Sequence, residues 1–288
     1  MRKKIRTAMT LAGLAIALIG FVILFVGVCR IPPMEPYQLR ENQSPGKKNF
    51  FRHGVFTMRI TSEENGIVTV GYRTAVDRSG RGEPQASQMV FYLPNAGEHG
   101  KLACEYDRGL RRFAEADRFT VCSLEYTGAA LPERPDTLLK VQSFLTARLQ
   151  LPRRRFFLIG CGEGAKAVLE TCRRYPDNVA AAVCWNGLIP SHEPETFRAD
   201  GPPVLCLTDH PERGAATAER FGKNGARPPV WCGVVSAPSG MIDHGISPEG
   251  WLVIHAFLIH VLNPEDGTFE REFARLPWHC APGAERRK

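Results

Sequence analysis

The sequence predicts an α/β protein: one domain on a mostly parallel sheet of about eight strands, with helices on both faces. Short, continuously apolar runs alternate with longer stretches of helical period, the pattern of strands buried on both sides. An Asn65-Gly66 turn signal between the runs Val55–Ile60 and Ile67–Thr74 marks an antiparallel hairpin leading into that series. The chain has 288 residues, 43% hydrophobic and 23% charged. An α/β fold reaches that size undivided, and the composition excludes a mainly disordered or collagen-like chain.

The first element is apolar throughout. Residues 8–29 carry no charge and are rich in Leu, Ile, Val, Ala and Phe. As a helix rising about 1.5 Å per residue they span roughly 30 Å of hydrocarbon, enough for a transmembrane anchor. A cleaved signal peptide is the competing reading, but the apolar run is long for one and lacks an A-x-A-like site near Val26–Arg30. Arg2, Lys3, Lys4 and Arg6 place residues 1–7 in the cytoplasm. The globular part is then expected outside it, in the periplasm or at a cell surface. Gly13, Ala17, Gly20 and Gly27 fall near one helix face, so the anchor offers a surface for homodimer packing. The net charge of +7 is concentrated here: residues 1–30 hold five Lys/Arg and no acid, leaving +2 for residues 31–288. A nucleic-acid-binding face is therefore not expected.

Residues 30–50, with four prolines, read as a linker. The domain is expected over 51–270, followed by a tail over 271–288. After the hairpin the expected order is strand Met89–Leu93, helix Tyr106–Ala116, strand Phe119–Leu124, helix Asp136–Leu149 and strand Phe156–Ile159. It continues with helix Ala165–Tyr175, strands Val179–Trp185 and Val204–Leu207, helix Ala215–Phe221, strand Val230–Val235 and the closing helix Trp251–Leu262. Of the nine cysteines, Cys122, Cys184, Cys206 and Cys232 sit in strand-like runs, where a thiol behaves as a small buried hydrophobe. Disulfides among Cys104, Cys172 and Cys280 stay open. With no C-x-x-C and no ligand spacing of His and acids, no metal is expected.

The most informative stretch is Phe156-Phe157-Leu158-Ile159-Gly160-Cys161-Gly162-Glu163-Gly164-Ala165, which runs strand, glycine-rich turn, helix. Here the chain resembles the α/β-hydrolase family over most of residues 55–265. That family's elbow reads G-x-S-x-G, its small residues letting the strand turn sharply into the helix. Gly160 and Gly164 match, but Gly162 stands at the nucleophile position and has no side chain to attack with. Cys161 is the alternative nucleophile, although that frame puts Ile159 and Glu163 where small residues are needed. The resemblance implies an acid after Val204–Leu207, where Asp209 and Glu212 are both available, and a general base at His244, just before the last helix. It also implies an oxyanion hole from backbone N–H groups near Ala96 and Glu163.

Each residue also has a structural reading: Asp209 and Glu212 as solvated loop acids, His244 as an ordinary loop histidine, the glycines as packing devices. The turn further satisfies G-x-G-x-x-A, a dinucleotide fingerprint. But that fingerprint normally opens its fold, and Trp185 and Asn186 stand where the ribose-binding acid belongs. No cofactor is expected. The resulting expectation is a membrane-anchored, catalytically impaired hydrolase-like protein that binds a small acyl ligand or a protein partner. The alternative is an active hydrolase of acyl bonds using His244 with Cys161 or an activated water.

Overall fold

Two ten-residue strands pair along their full length: β1 (Phe50–Arg59) and β2 (Ile67–Val76) run antiparallel, from Phe50 opposite Val76 to Arg59 opposite Ile67. This computed structural model describes residues 50–59, 67–76, 88–94, 100, 103–126, 135–187, 200–223, 229–235 and 246–280. The anchor 8–29, the linker up to 49, Ala96 and His244 lie outside the described residues. Among the described residues no helix is long and apolar enough to cross a membrane.

The hairpin feeds an alternating series. β3 (Met89–Leu93) is followed by helices α1 (Ala103–Tyr106) and α2 (Arg108–Glu115), β4 (Thr120–Glu125) and α3 (Asp136–Leu149). Then come β5 (Phe156–Cys161), α4 (Gly164–Arg174), β6 (Val179–Trp185), β7 (Val204–Thr208), α5 (Pro211–Lys223) and β8 (Val230–Val234). α6 (Pro248–Leu262), α7 (Thr268–Ala274) and β9 (Trp278–Cys280) complete the fold. The sheet order is β1-β2-β4-β3-β5-β6-β7-β8-β9. Strands β3 to β8 are parallel, while the hairpin and β9 are antiparallel to their neighbours.

Alternation along the strands divides the core into two layers. Phe156 and Leu158 of β5 join Phe91, Leu124, Leu138, Val141, Leu145 and Val168 on the face covered by α3 and α4. Phe157 and Ile159 join Leu110, Phe113, Phe119, Val253, Phe257, Phe269 and Phe273 on the opposite face, under α2, α6 and α7. Both faces of the central strands are thus dry, which is why those strands read as unbroken apolar runs.

The structure departs from the sequence expectation at the C-terminal end. Among the described residues there are nine strands rather than about eight, because Trp278–Cys280 pairs with β8 within what the sequence assigns to a tail. A three-residue edge strand is too short to show a period, although Trp278 and Cys280 both pack on the sheet's core. The expected helix Tyr106–Ala116 is instead two, broken at Asp107, whose carboxylate accepts from the N–H groups of Gly109 and Leu110 and caps α2.

Candidate functional site

Parallel strands deliver their C-terminal ends to one edge of the sheet, and that edge gathers four of the residues in question. The register pairs Leu93 with Gly160, Cys161 with Trp185, and Trp185 with Leu207. Pro94, Gly162, Asn186 and Asp209 therefore follow one another along the rim.

At its centre β5 turns into α4 within two residues. Gly162 has φ +51°, in the left-handed region, and its N–H donates to the carbonyl of Trp185 at 2.8 Å. Glu163 is already helical in φ and ψ, is exposed, and its carbonyl accepts from Lys166 N–H. The flanking glycines are steric necessities. A Cβ on Gly160 would lie 2.6 Å from the Gly164 carbonyl oxygen, and one on Gly164 would overlap the carbonyl of Leu93 and approach that of Pro94 to 2.7 Å. So strand, turn and helix are packed backbone to backbone, and the apex of the corner is Gly162.

Cys161, the alternative nucleophile, faces the other way. It belongs to β5, is 1% exposed, lies in the layer under α2 and α6, and its thiol donates to the Tyr92 hydroxyl at 3.4 Å.

Two strands away, the acids separate cleanly. Asp209 directly follows β7, with a side chain 31% exposed; Glu212 lies in the first turn of α5 with a side chain 71% exposed. Asp209 is held from behind by Asn186, a residue the sequence reading used only to argue against a dinucleotide site. Asn186 adopts φ +49° at the end of β6. Its side-chain oxygen accepts from the Thr208 hydroxyl at 2.8 Å and from the Asp209 N–H at 3.2 Å. Thr208 in turn accepts from the N–H of His210 at 3.1 Å. One carboxylate oxygen of Asp209, Oδ1, is buried with no hydrogen-bond donor among the described residues. The nearest cation-forming group is His210, whose Nε2 is 3.4 Å away and whose Nδ1 lies 3.6 Å from Glu212. The sequence signal for this arrangement was available: asparagine is among the few residues at ease with positive φ, and it stood just after a strand.

Replacing Asn186 by glycine tests this support separately from backbone strain, since glycine keeps the positive φ. The variant leaves Thr208 and Asp209 without their shared acceptor and is expected to lose about 1–2 kcal/mol. Asn186→Ala should lose roughly 1 kcal/mol more, from the left-handed backbone. Urea denaturation, read as a shift in midpoint at constant slope, checks both.

The rim begins at Pro94, whose carbonyl accepts from the buried Tyr126 hydroxyl at 2.7 Å. This fixes the end of β3, where the loop containing Ala96 departs. Among the described residues no group of three His, Cys, Asp or Glu is placed to hold a metal ion.

Solved structures with the same arrangement are numerous. S-formylglutathione hydrolase FrmB from Staphylococcus aureus superposes with a TM-score of 0.55 at 12% identity, covering 75% of this chain and 98% of that one. FphF, a fluorophosphonate-binding serine hydrolase of the same organism, gives 0.53 at 12% identity over 74% of this chain and 99% of that one. MGS-M1, an alpha/beta hydrolase enzyme from a Medee basin deep-sea metagenome library, gives 0.53 at 12% identity over 76% and 98%. The chain has the α/β-hydrolase fold. At such identities the likeness is one of architecture, and no family profile or curated protein sequence matches. The turn after β5, from strand into helix, is built in this chain with glycine at its apex.

Proposed function

We propose that this protein is a membrane-anchored member of the α/β-hydrolase fold that has given up covalent acyl transfer and acts by binding a small acyl ligand or a protein partner. The observation that carries this is Gly162: the corner keeps its positive φ and its two obligatory flanking glycines, yet has no side chain at the attacking position. Covalent catalysis needs an activated oxygen or sulfur there, and the neighbouring thiol of Cys161 is turned into the core. The anchor is residues 8–29, with the globular domain outside the cytoplasm, on the charge asymmetry of the N-terminus.

A second reading, water activated by His244, is favoured by one feature. The buried Oδ1 of Asp209 makes no hydrogen bond among the described residues, its ion-pair contact with His210 Nε2 standing at 3.4 Å, and a buried acceptor left without a hydrogen bond costs about 1–3 kcal/mol. The loop 236–245 joins β8, the neighbour of β7, to α6 and contains His244. In this pairing Asp209 rather than Glu212 is the acid.

Turnover of short acyl esters by the full chain separates the readings. The expected result is a rate equal to buffer background, unchanged in His244→Ala. Turnover that disappears in His244→Ala would establish the hydrolase.

A further inference from the structure

Four cysteines stand side by side across the second half of the sheet. The register sets Cys184 of β6 beside Cys206 of β7, Cys206 beside Cys232 of β8, and Cys232 opposite Cys280 of β9. Directly paired residues share one sheet face, and all four thiols lie in the layer that α4 and α5 cover over these strands, with Cys172 of α4 in the same cluster. None is in a disulfide.

The inner members are chemically quiet. Cys206 is hydrogen-bonded with both Cys184 and Cys232; the bond with Cys184, together with burial, pushes the Cys206 thiol well up despite the opposing effect of Cys232. The hydrogen bond with Cys206, then burial, does the same to Cys232, and burial alone raises Cys172. Thiols kept protonated react poorly with external disulfides, so Cys232 can act only on a sulfur that the strand register holds opposite it, at Cys280. Cys280 differs in place: it is partly exposed, on a three-residue strand at the edge of the sheet. Opposed residues of an antiparallel pair have Cα atoms about 4.5–5.5 Å apart, inside the roughly 4.4–6.8 Å window of a disulfide.

We propose that Cys280 and Cys232 form a thiol–disulfide exchange site, at which a small external disulfide is reduced and a Cys232–Cys280 bond staples the last strand to the sheet. Cys280 loses its proton to solvent and its sulfur attacks one sulfur of the external disulfide RS–SR. A Cys280–SR mixed disulfide forms, and one RS⁻ leaves and is protonated. Cys232 then loses its proton and attacks the Cys280 sulfur, forming the internal disulfide and releasing the second RS⁻, which is also protonated. Two protein thiols are oxidised and one external disulfide is reduced to two thiols. Cys232 resolves the intermediate because it is the cysteine in register with Cys280; Cys206 and Cys184 lie one and two strands further in. The bond closes a chain segment that begins just before the loop 236–245 and includes α6 and α7, so oxidation tethers both ends of the stretch containing His244. The inference does not depend on whether the domain lies outside the cytoplasm.

The test uses the full chain, purified reduced and incubated folded with excess oxidised glutathione, then alkylated and mapped by peptide mass. The expected product has one disulfide joining the peptides of Cys232 and Cys280, two thiols lost per chain, and a thermal midpoint raised on the order of 5–10 °C. Cys232→Ser should trap glutathione on Cys280, and Cys280→Ser should protect the remaining buried thiols. Glutathione left on Cys280 of the unaltered chain, a cross-link that omits either residue, or no loss of thiol from the folded protein would each overturn the proposal.

Discussion

Gly164→Ala is expected to destabilise the protein by about 3 kcal/mol or more, lowering its thermal midpoint by roughly 6–12 °C. The sign is opposite to what helix propensity gives. Gly164 opens α4, and alanine in a helix normally gains about 0.5–1 kcal/mol over glycine. Here the added methyl meets backbone, the Leu93 carbonyl and, at 2.7 Å, that of Pro94. Neither can yield cheaply. Leu93 is paired with Gly160 in the β3–β5 ladder, and the Pro94 carbonyl is engaged by Tyr126. Relief requires moving α4 away from β3, which opens the corner at Gly162. Gly267→Ala supplies the comparison: its φ is +61° but nothing lies within 4 Å of an added Cβ. It should cost only about 1 kcal/mol of backbone strain. Chemical denaturation of both variants decides the matter, and a Gly164→Ala no worse than Gly267→Ala would mean that the close approach of helix to strand is not there.

Much of this corner could be read before any coordinates, because close backbone approach leaves a mark in composition: Gly160 and Gly164 are small for a reason that holds whatever the chemistry. The central strands were equally legible, since burial on both faces forces continuous apolar runs such as Phe156–Ile159. What the sequence hid depends on register. Nothing local marks Cys184, Cys206, Cys232 and Cys280 as neighbours, because their spacing along the chain is set by intervening helices. Asn186 signals its own positive φ, but nothing local says that its side chain holds Asp209, 23 residues on at the end of another strand. The sequence leaves Asp209 and Glu212 both available and starts the helix after them, at Ala215. The helix begins at Pro211, at a position where proline's fixed φ and missing N–H carry no penalty, and this turns Glu212 outward on its first turn.

On the proposed function, Gly162→Ser is expected to create covalent reactivity that the natural chain does not show. The backbone can take a serine: Arg118, Gln150 and Asn186 already hold φ values of +56°, +53° and +49° in this fold, so left-handed side-chain-bearing residues are tolerated at about 1–2 kcal/mol each. The new hydroxyl would stand at the C-terminal rim, two strands from Asp209, a gap of about 10 Å by strand spacing. One imidazole, hydrogen-bonded at both ends and flanked by two short side chains, bridges such a distance. Loss of the nucleophile from a working Ser-His-acid set costs roughly 10⁶-fold, so partial recovery is readily measured. An increase in ester turnover of at least about 10²-fold over the natural chain is anticipated, with stoichiometric labelling by a fluorophosphonate as the serine oxygen displaces fluoride at phosphorus. Gly162→Ala should gain neither, and adding His244→Ala to the serine variant should abolish both. Labelling of the natural chain on any side chain would refute the missing nucleophile. A folded, unlabelled serine variant would instead show that no base reaches the corner, leaving Gly162 as the apex of a binding site and removing Asp209 and His244 from its chemistry.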